Sequence, residues 1–178
     1  MSGLDKNGLD PASLAAHLRF LRRPHTRPPE KGREMTTVAR ILDDKGRDVF
    51  TTQPHRTLKE VVELLAAKGV GAVVISDASS SVLGILSERD VVRVVARHGA
   101  SALDDPVSRH MTPKVTTVTR DDTIEHVMQT MTAGRFRHVP VVDGSRLIGI
   151  ISIGDVVKRH VNALDNERQA LREYIATA

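Results

Sequence analysis

The sequence predicts an α/β protein of two β-α-β-β-α repeats that pack against each other about a pseudo-twofold axis. The first observation is a motif, GILSERD at residues 84–90, that returns as GIISIGD at residues 149–155. The second is that residues 49–77 match residues 115–143 without a gap. The third is that apolar residues change from helical spacing to strand-like runs at the same place in each copy. Neither copy has enough elements to bury its own sheet, so the two should pack together.

Residues 1–34 are predicted to be a flexible, basic, proline-rich leader. They hold four of the eight prolines, and seven Lys or Arg against four Asp or Glu. Residues 11–23 could form one short amphipathic helix, although an isolated helix of that length is marginal in water. Met35 could also serve as a natural start, which would make the leader an extension of the reading frame.

The first repeat is predicted over residues 36–98. Its opening strand starts near Val49, and its first helix follows a capping box formed by Thr57 and Glu60. A second helix opens near Asp90, after two strands joined by a polar turn. The apolar stripe of the first helix consists of Leu58, Val61, Val62 and Leu65. The two strands are predicted at residues 70–76 and 81–87.

The second repeat is predicted over residues 107–161, and residues 162–178 continue its last helix as a C-terminal extension. The apolar stripe of its first helix consists of Ile124, Val127, Met128 and Met131. Its two strands are predicted at residues 136–142 and 146–152. The last helix carries its own apolar stripe, Val157, Val161, Leu164, Leu171 and Ile175. Because this stripe extends beyond the repeat, we expect a twofold homodimer to bury it. Folding back onto the same chain is the alternative.

Composition and charge exclude several classes of protein. The chain has no cysteine, which excludes disulfides, thiolate zinc sites and cysteine nucleophiles. It has no long apolar run and no apolar secretory segment, which predicts a cytoplasmic protein without a membrane span. The net charge is +4 at pH 7, most of it in the leader. With one tyrosine, three phenylalanines and no tryptophan, few side chains can stack on bases, so nucleic-acid binding is not expected.

The repeated motif places a serine and an aspartate three residues apart where a strand becomes a helix. Ser87 and Asp90, like Ser152 and Asp155, therefore face a common small volume. A carboxylate there can accept paired hydrogen bonds from the vicinal hydroxyls of a ribose, and the serine and helix-terminal amides suit phosphate oxygens. The alternative is that the serines only cap helices whose first turns favour acids. Two copies in register favour a shared ligand-binding role.

These motifs, together with FRHVPVVD and HMTPKVTTV, make the chain resemble a tandem CBS-domain pair over about residues 36–160. The resemblance implies the fold called a Bateman module, in which two CBS repeats form a disc-like unit with two clefts. It also implies that the clefts bind adenosine compounds, namely AMP, ADP, ATP, S-adenosylmethionine or NAD(H). In that family the motif aspartate binds the ribose, a role that falls here to Asp90 and Asp155.

The resemblance further implies that each cleft combines the motif of one repeat with the early strands of the other. Pro140, in the valine-proline step, is also predicted as a site residue. The Asp155 cleft lacks local cations unless Lys45 or a distant arginine reaches into it. The remaining predicted members of the Asp90 cleft are Ser87, Arg89, Thr112, Thr117, Arg137 and His138. Those of the Asp155 cleft are Gly71, Ala72 and Ser152.

The predicted function is that of a non-catalytic regulatory module that senses energy or redox state through an adenosine nucleotide. AMP is the expected ligand, with ATP, ADP and NAD(H) as open alternatives, and the regulated protein partner is not readable from the sequence. No zinc-site spacing and no nucleophile-base pair is apparent, so neither a metal nor a catalytic residue is predicted. Two other functions remain open: a small nucleotide-processing enzyme, and a nucleic-acid-binding protein that uses the basic leader.

Overall fold

The computed structural model describes residues 36–46 and 48–177. The predictions for the leader, residues 1–34, lie outside this range. The first part of the described chain contains three helices and three strands. In order they are α1 (Val38–Lys45), β1 (Thr51–Thr52), α2 (Leu58–Lys68), β2 (Ala72–Ser76), β3 (Val82–Ser87) and α3 (Glu88–His98).

The second part repeats the order of helix, hairpin and helix. Two short 3-10 turns, Ala100–Asp104 and Val107–Arg109, lead into it. The elements that follow are α4 (Ile124–Gly134), β4 (His138–Asp143), β5 (Arg146–Ser152) and α5 (Ile153–Thr177). The predicted α/β class and the two strands after each helix are therefore present, and α5 continues through most of the predicted extension.

Each repeat is built on an antiparallel hairpin with the same register. Ala72 pairs with Ser87 across β2 and β3, and His138 pairs with Ser152 across β4 and β5. In the first repeat, β1 adds a parallel strand to β2. In the second repeat the corresponding strand is reduced to one parallel bridge between Val118 and Val141.

Both predicted helix stripes are confirmed, and the two helices begin in the same way. The side-chain oxygen of Thr57 accepts from the Glu60 amide at 3.2 Å, and the Glu60 carboxylate accepts from the Thr57 amide at 2.8 Å, which confirms the predicted capping box. In the second copy, Thr123 accepts from the His126 amide at 3.2 Å. The residues of the two stripes that are buried are Leu58, Val61, Leu65, Ile124, Val127 and Met131.

The two hydrophobic cores exchange segments between the repeats. Helix α1 opens the first repeat, yet its apolar face packs into the core of the second, with Val127, Val139 and Ile151 among others. Val107, at the start of the second repeat, is fully buried in the core of the first, where Leu103 and Met111 also pack. Each core is thus completed by residues at the start of the other repeat or just before it. The face of α1 consists of Val38, Ile41 and Leu42.

The first glycine of each motif makes room for this exchange. A Cβ on Gly84 would collide with the Met111 side chain and lie 3.1 Å from the Thr112 carbonyl oxygen. A Cβ on Gly149 would lie 2.7 Å from a methyl group of Leu42. Real Cβ contacts are longer than this, so the glycines let the exchanged segments cross directly over β3 and β5.

Candidate functional site

The first candidate site lies where β3 ends and α3 begins. One carboxylate oxygen of Asp90 accepts from the Ser87 amide at 3.0 Å and from the Ser87 hydroxyl at 2.6 Å. Its other oxygen lies 3.7 Å from the Arg93 guanidinium. One oxygen of Asp90 thus closes the helix start, as the capping alternative requires, while the other faces only the more distant Arg93.

The second motif repeats this geometry at the start of α5. Asp155 accepts from the Ser152 amide and hydroxyl, both at 2.8 Å, and the Asp155 amide donates to that hydroxyl at 3.2 Å. The difference is Lys45, at the end of α1, whose ammonium group donates to the same Asp155 oxygen at 2.6 Å. Partial burial opposes ionisation, but the bonds from Lys45 and Ser152 outweigh it and hold the pKa of the Asp155 carboxyl below its usual value.

A cleft of about 220 Å³ opens beside Asp90. It is bounded by the β3–α3 junction, by the linker after Met111 and by the turn between α4 and β4. Six residues predicted from the sequence line it together: Ser87, Arg89, Asp90, Thr112, Arg137 and His138. The arrangement combines a carboxylate and a hydroxyl at one wall with cationic side chains from several other segments.

Two predicted residues do not line this cleft. Thr117 is exposed, and its neighbour Thr116 faces the cleft in its place. Pro140 is buried within β4 opposite Ile150, and its carbonyl oxygen accepts from the Val118 amide at 3.1 Å. Pro140 therefore supports the strand that carries His138 and does not face the cleft.

Three cationic residues of the cleft were missed from the sequence: Arg93, Lys114 and Arg135. Arg93 lies one helical turn after Arg89, so its position on the same face could have been inferred from the spacing. Arg135 aligns with Gly69 of the first repeat, and an arginine in place of a helix-ending glycine was a readable signal. Lys114 lies between Thr112 and Thr117, two residues predicted for this cleft, so its position in the chain was also a signal.

Gly71 and Ala72 lie at the start of β2, at the register that Arg137 and His138 hold in β4. The Gly71 carbonyl accepts from the Glu88 amide at 3.1 Å, just as the Arg137 carbonyl accepts from the Ile153 amide at 2.8 Å. Ala72 is buried opposite Ser87. Neither residue brings a charge to the Asp155 motif, and the cation found there is Lys45.

His138 connects the surroundings of the two motifs. It lines the Asp90 cleft, and its ring lies 3.1 Å from the position that a Cβ on Gly71 would take. Burial is the main reason that the pKa of the His138 imidazole is lowered, and the charges of Arg137 and Lys45 add to the effect. Asp155 and Glu88 act in the opposite direction. The imidazole is therefore neutral at pH 7 and lies within the electrostatic field of both motifs.

A sequence model of the CBS domain matches residues 38–97 and again residues 107–162. The chain belongs to the CBS-domain family. The mitochondrial CBS domain-containing protein CBSX3 of Arabidopsis thaliana is 34% identical over 157 residues, which is 84% of this chain and 76% of that protein. The recognition of a tandem CBS pair from its two motifs is thereby confirmed.

Solved structures of CBS-domain proteins share the fold. The CBS-domain protein ATU1752 from Agrobacterium tumefaciens is 50% identical with a TM-score of 0.68, over 70% of this chain and 99% of that one. The CBS pair of protein MJ0100, solved with 5'-methylthioadenosine and S-adenosylmethionine, is 23% identical with a TM-score of 0.65. That alignment covers 72% of this chain and 98% of the other. The predicted arrangement of two packed CBS repeats is confirmed.

Two features are absent from the part of the chain that the structure describes. No helix in residues 36–46 and 48–177 is both long enough and apolar enough to cross a membrane. Within the same ranges, no group of three or more His, Asp or Glu side chains could hold a metal ion.

Proposed function

We propose that this CBS-domain protein is a non-catalytic regulatory module that binds an adenosine nucleotide in the Asp90 cleft. The observation that carries the proposal is the juxtaposition of the Asp90 oxygen that is not used in capping with the cations Arg89 and Arg137 in one cleft. The carboxylate can accept from the hydroxyls of a ribose, and the guanidinium groups can bind phosphate oxygens in pairs. The adenosine compounds bound to the MJ0100 pair, whose fold is the same, support this class of ligand.

The Asp155 site is proposed as the weaker of the two. Lys45 donates at 2.6 Å to the same Asp155 oxygen that accepts from Ser152, so the charge of this carboxylate is already paired before a ribose arrives. Both partners are partly exposed, with 35% and 25% of their side-chain surfaces accessible, so this ion pair should weaken ribose binding only modestly. The Asp90 cleft, whose carboxylate faces only a more distant Arg93, should fill first.

Calorimetric titration with AMP, ADP, ATP and NADH tests this assignment. Asp90→Ala should weaken binding about tenfold or more, since a hydrogen bond to a charged group contributes about 1.5–3 kcal/mol. Asp155→Ala is the matched control, because it removes the same side chain from the same local geometry and should leave the first binding event unchanged. A loss of binding in Asp155→Ala alone would overturn the assignment. Sustained turnover of any of these nucleotides, lost in Asp90→Ala, would overturn the non-catalytic part.

We further propose that the module is a homodimer that joins through α5. Val157, Val161 and Leu164 lie along one face of this helix and are 46%, 47% and 50% exposed, and Ile175 farther along is 68% exposed. The side chain of Leu171, also part of the predicted stripe, lies outside what the structure describes. An apolar stripe of this length is of the kind that a twofold interface buries.

We also propose how the bound nucleotide is detected by a partner and where in the cell the protein acts. A nucleotide can change the conformation only if it binds one state more tightly than another, so a protein partner must read that difference. The location that we propose is the cytoplasm. Because the Arabidopsis relative is named as mitochondrial, direct measurement of the location in the cell is the test of this part.

A further inference from the structure

We propose that the Asp90 cleft selects a nucleoside di- or triphosphate over a monophosphate, and that Arg135 is the residue that makes the distinction. This inference rests on the proposed function of the cleft and narrows it. It assigns a specificity role to a residue outside the repeated motif. Three observations support it. The cleft contains cations without a carboxylate partner, these cations come from several segments of the chain, and the backbone of Arg135 has a left-handed conformation.

The cleft carries far more positive than negative charge. Its lining includes five Arg or Lys side chains and one carboxylate, Asp90, which already faces Arg93. The other four cations have no carboxylate partner within residues 36–46 and 48–177: Arg89, Lys114, Arg135 and Arg137. A single phosphate group has too few oxygens and too little charge to satisfy four such donors, whereas a chain of two or three phosphates can.

Some cations elsewhere on the described surface have a carboxylate partner: Arg56, Arg109 and Arg159 each lie within 3.0 Å of a carboxylate oxygen. Leaving four cations unpaired in one concave site maintains mutual repulsion, which a bound polyanion would relieve. The feature that carries the inference is therefore the convergence of four such cations on one cleft.

The cations arrive from three separate segments. Arg89 lies in the first turn of α3, Lys114 in the linker, and Arg135 and Arg137 on either side of Phe136 in the turn before β4. Since no single helix face or charged run produces the cluster, it depends on how the two repeats pack. Ser87 and Asp90 occupy the wall suited to the sugar, which leaves these cations for the phosphates.

Arg135 stands at a backbone position that normally takes glycine. It follows α4 in the left-handed conformation with φ +54°, where the first repeat has Gly69 after α2 with φ +61°. Its amide closes the helix by donating to the Thr132 carbonyl at 3.3 Å, which glycine does equally well in the first copy. The left-handed conformation is sterically unfavourable for arginine, so the benefit of this residue must come from its side chain in the cleft.

The decisive experiment compares AMP, ADP and ATP by calorimetry on the full chain and on Arg135→Gly. Glycine suits the backbone, so the variant removes the charge without threatening the fold, and its melting temperature should not fall. We expect the wild type to bind ATP at least about tenfold more tightly than AMP, and Arg135→Gly to lose about tenfold in ATP affinity while AMP changes by less than about threefold. Arg97→Ala, an arginine of α3 outside the cleft lining, should change neither affinity.

The outcomes separate this inference from the proposed function. Equal affinities for AMP and ATP in the wild type, or equal losses for both in Arg135→Gly, would overturn the selection by phosphate number and leave nucleotide binding in place. An absence of binding by all three compounds would overturn both. Arg135→Lys provides a further check, because a restored charge should recover most of the lost ATP affinity. A failure of lysine to recover any of it would show that charge is not the cause.

Discussion

At the scale of single residues, His138 is influenced by charges near both motifs. It lines the Asp90 cleft, yet the charges that shift its pKa include Lys45 and Asp155 from the other motif. Burial has the largest effect on this pKa, and the charges of the two motifs modify it in opposite directions.

The lowered pKa of His138 predicts how stability responds to acid. The unfolded imidazole has its ordinary pKa of 6.5, so below that pH the unfolded chain binds a proton that the folded chain resists. The contribution of His138 to stability is therefore fully present above about pH 6.5 and is lost as the pH falls towards the folded pKa. Urea unfolding at several pH values between about 5 and 8 should show a smaller acid-induced loss in His138→Gln than in the wild type.

His55→Gln is the matched control for this titration. His55 is exposed and lies outside both motifs, so its replacement should leave the pH dependence of the wild type intact. An identical acid-induced loss of stability in His138→Gln and the wild type would contradict this prediction. It would show that the half-buried imidazole accepts a proton as easily in the folded chain as in the unfolded chain.

At the scale of elements, the exchange of α1 into the second core is the feature with the largest energetic consequence. Leu42 is 1% exposed, and its methyl groups lie directly over Gly149 of β5. Burial of a side chain of this kind stabilises a fold by roughly 1.5–3 kcal/mol. Helix α1 should therefore act as a structural part of the second repeat, although the chain reaches it before the first.

A double-mutant cycle between Leu42 and Gly149 tests this contact. Leu42→Ala should lower the free energy of unfolding by about 2–5 kcal/mol, because it leaves a cavity in a packed core. Gly149→Ala should cost about 1–3 kcal/mol, because its new methyl group overlaps Leu42. Together they should cost less than the sum by at least about 0.5 kcal/mol, since the added methyl partly fills the cavity. Strict additivity in urea denaturation would mean that the two residues do not touch.

The elements also show which parts of the fold can be predicted from one sequence. The stripes of α2 and α4 and the capping box at Thr57 depend on local spacing, and all were predicted. Helix α1 was missed although Val38, Ile41 and Leu42 have helical spacing, because the short run stands alone and its partner is distant in sequence. The first strand of the second repeat was predicted but is reduced to one parallel bridge at Val118.

The residues of the candidate site also divide into those that local spacing predicts and those that depend on contacts distant in sequence. Residues within the motif, such as Ser87 and Asp90, were found because the spacing repeats. Lys114 and Arg135 were missed because they lie outside the repeated motif and line the cleft together with Ser87 and Asp90 of the other repeat. Pro140 was predicted as a site residue from a sequence pattern, and its position inside β4 shows that the pattern marks a structural strand.

At the scale of the whole molecule, the proposed dimer makes a prediction about mass. Leu164 is 50% exposed on the stripe of α5, and a charge there should destabilise a buried twofold contact. Light scattering should report a dimer for the wild type and a shift towards monomer for Leu164→Glu and for a chain ending at Asn162. Asn166→Glu places the same charge on an exposed position of α5 off the stripe, so it should remain dimeric.

A monomeric wild type at all accessible concentrations would refute the dimer, and an unchanged dimer in the shortened chain would remove the end of α5 from the interface. Nucleotide should leave the mass unaltered, since binding can reorient paired modules without separating them.

The reciprocal exchange of segments also fixes an order of events while the chain is being synthesised. The core of the first repeat is complete once Val107 and Met111 have left the ribosome, so this half can close before the second is made. Helix α1 emerges earlier still, but the residues that cover its apolar face begin only at Val118. It must wait, with Val38, Ile41 and Leu42 uncovered, until the last hairpin arrives. Helix α1 is thus among the last elements to reach its final place.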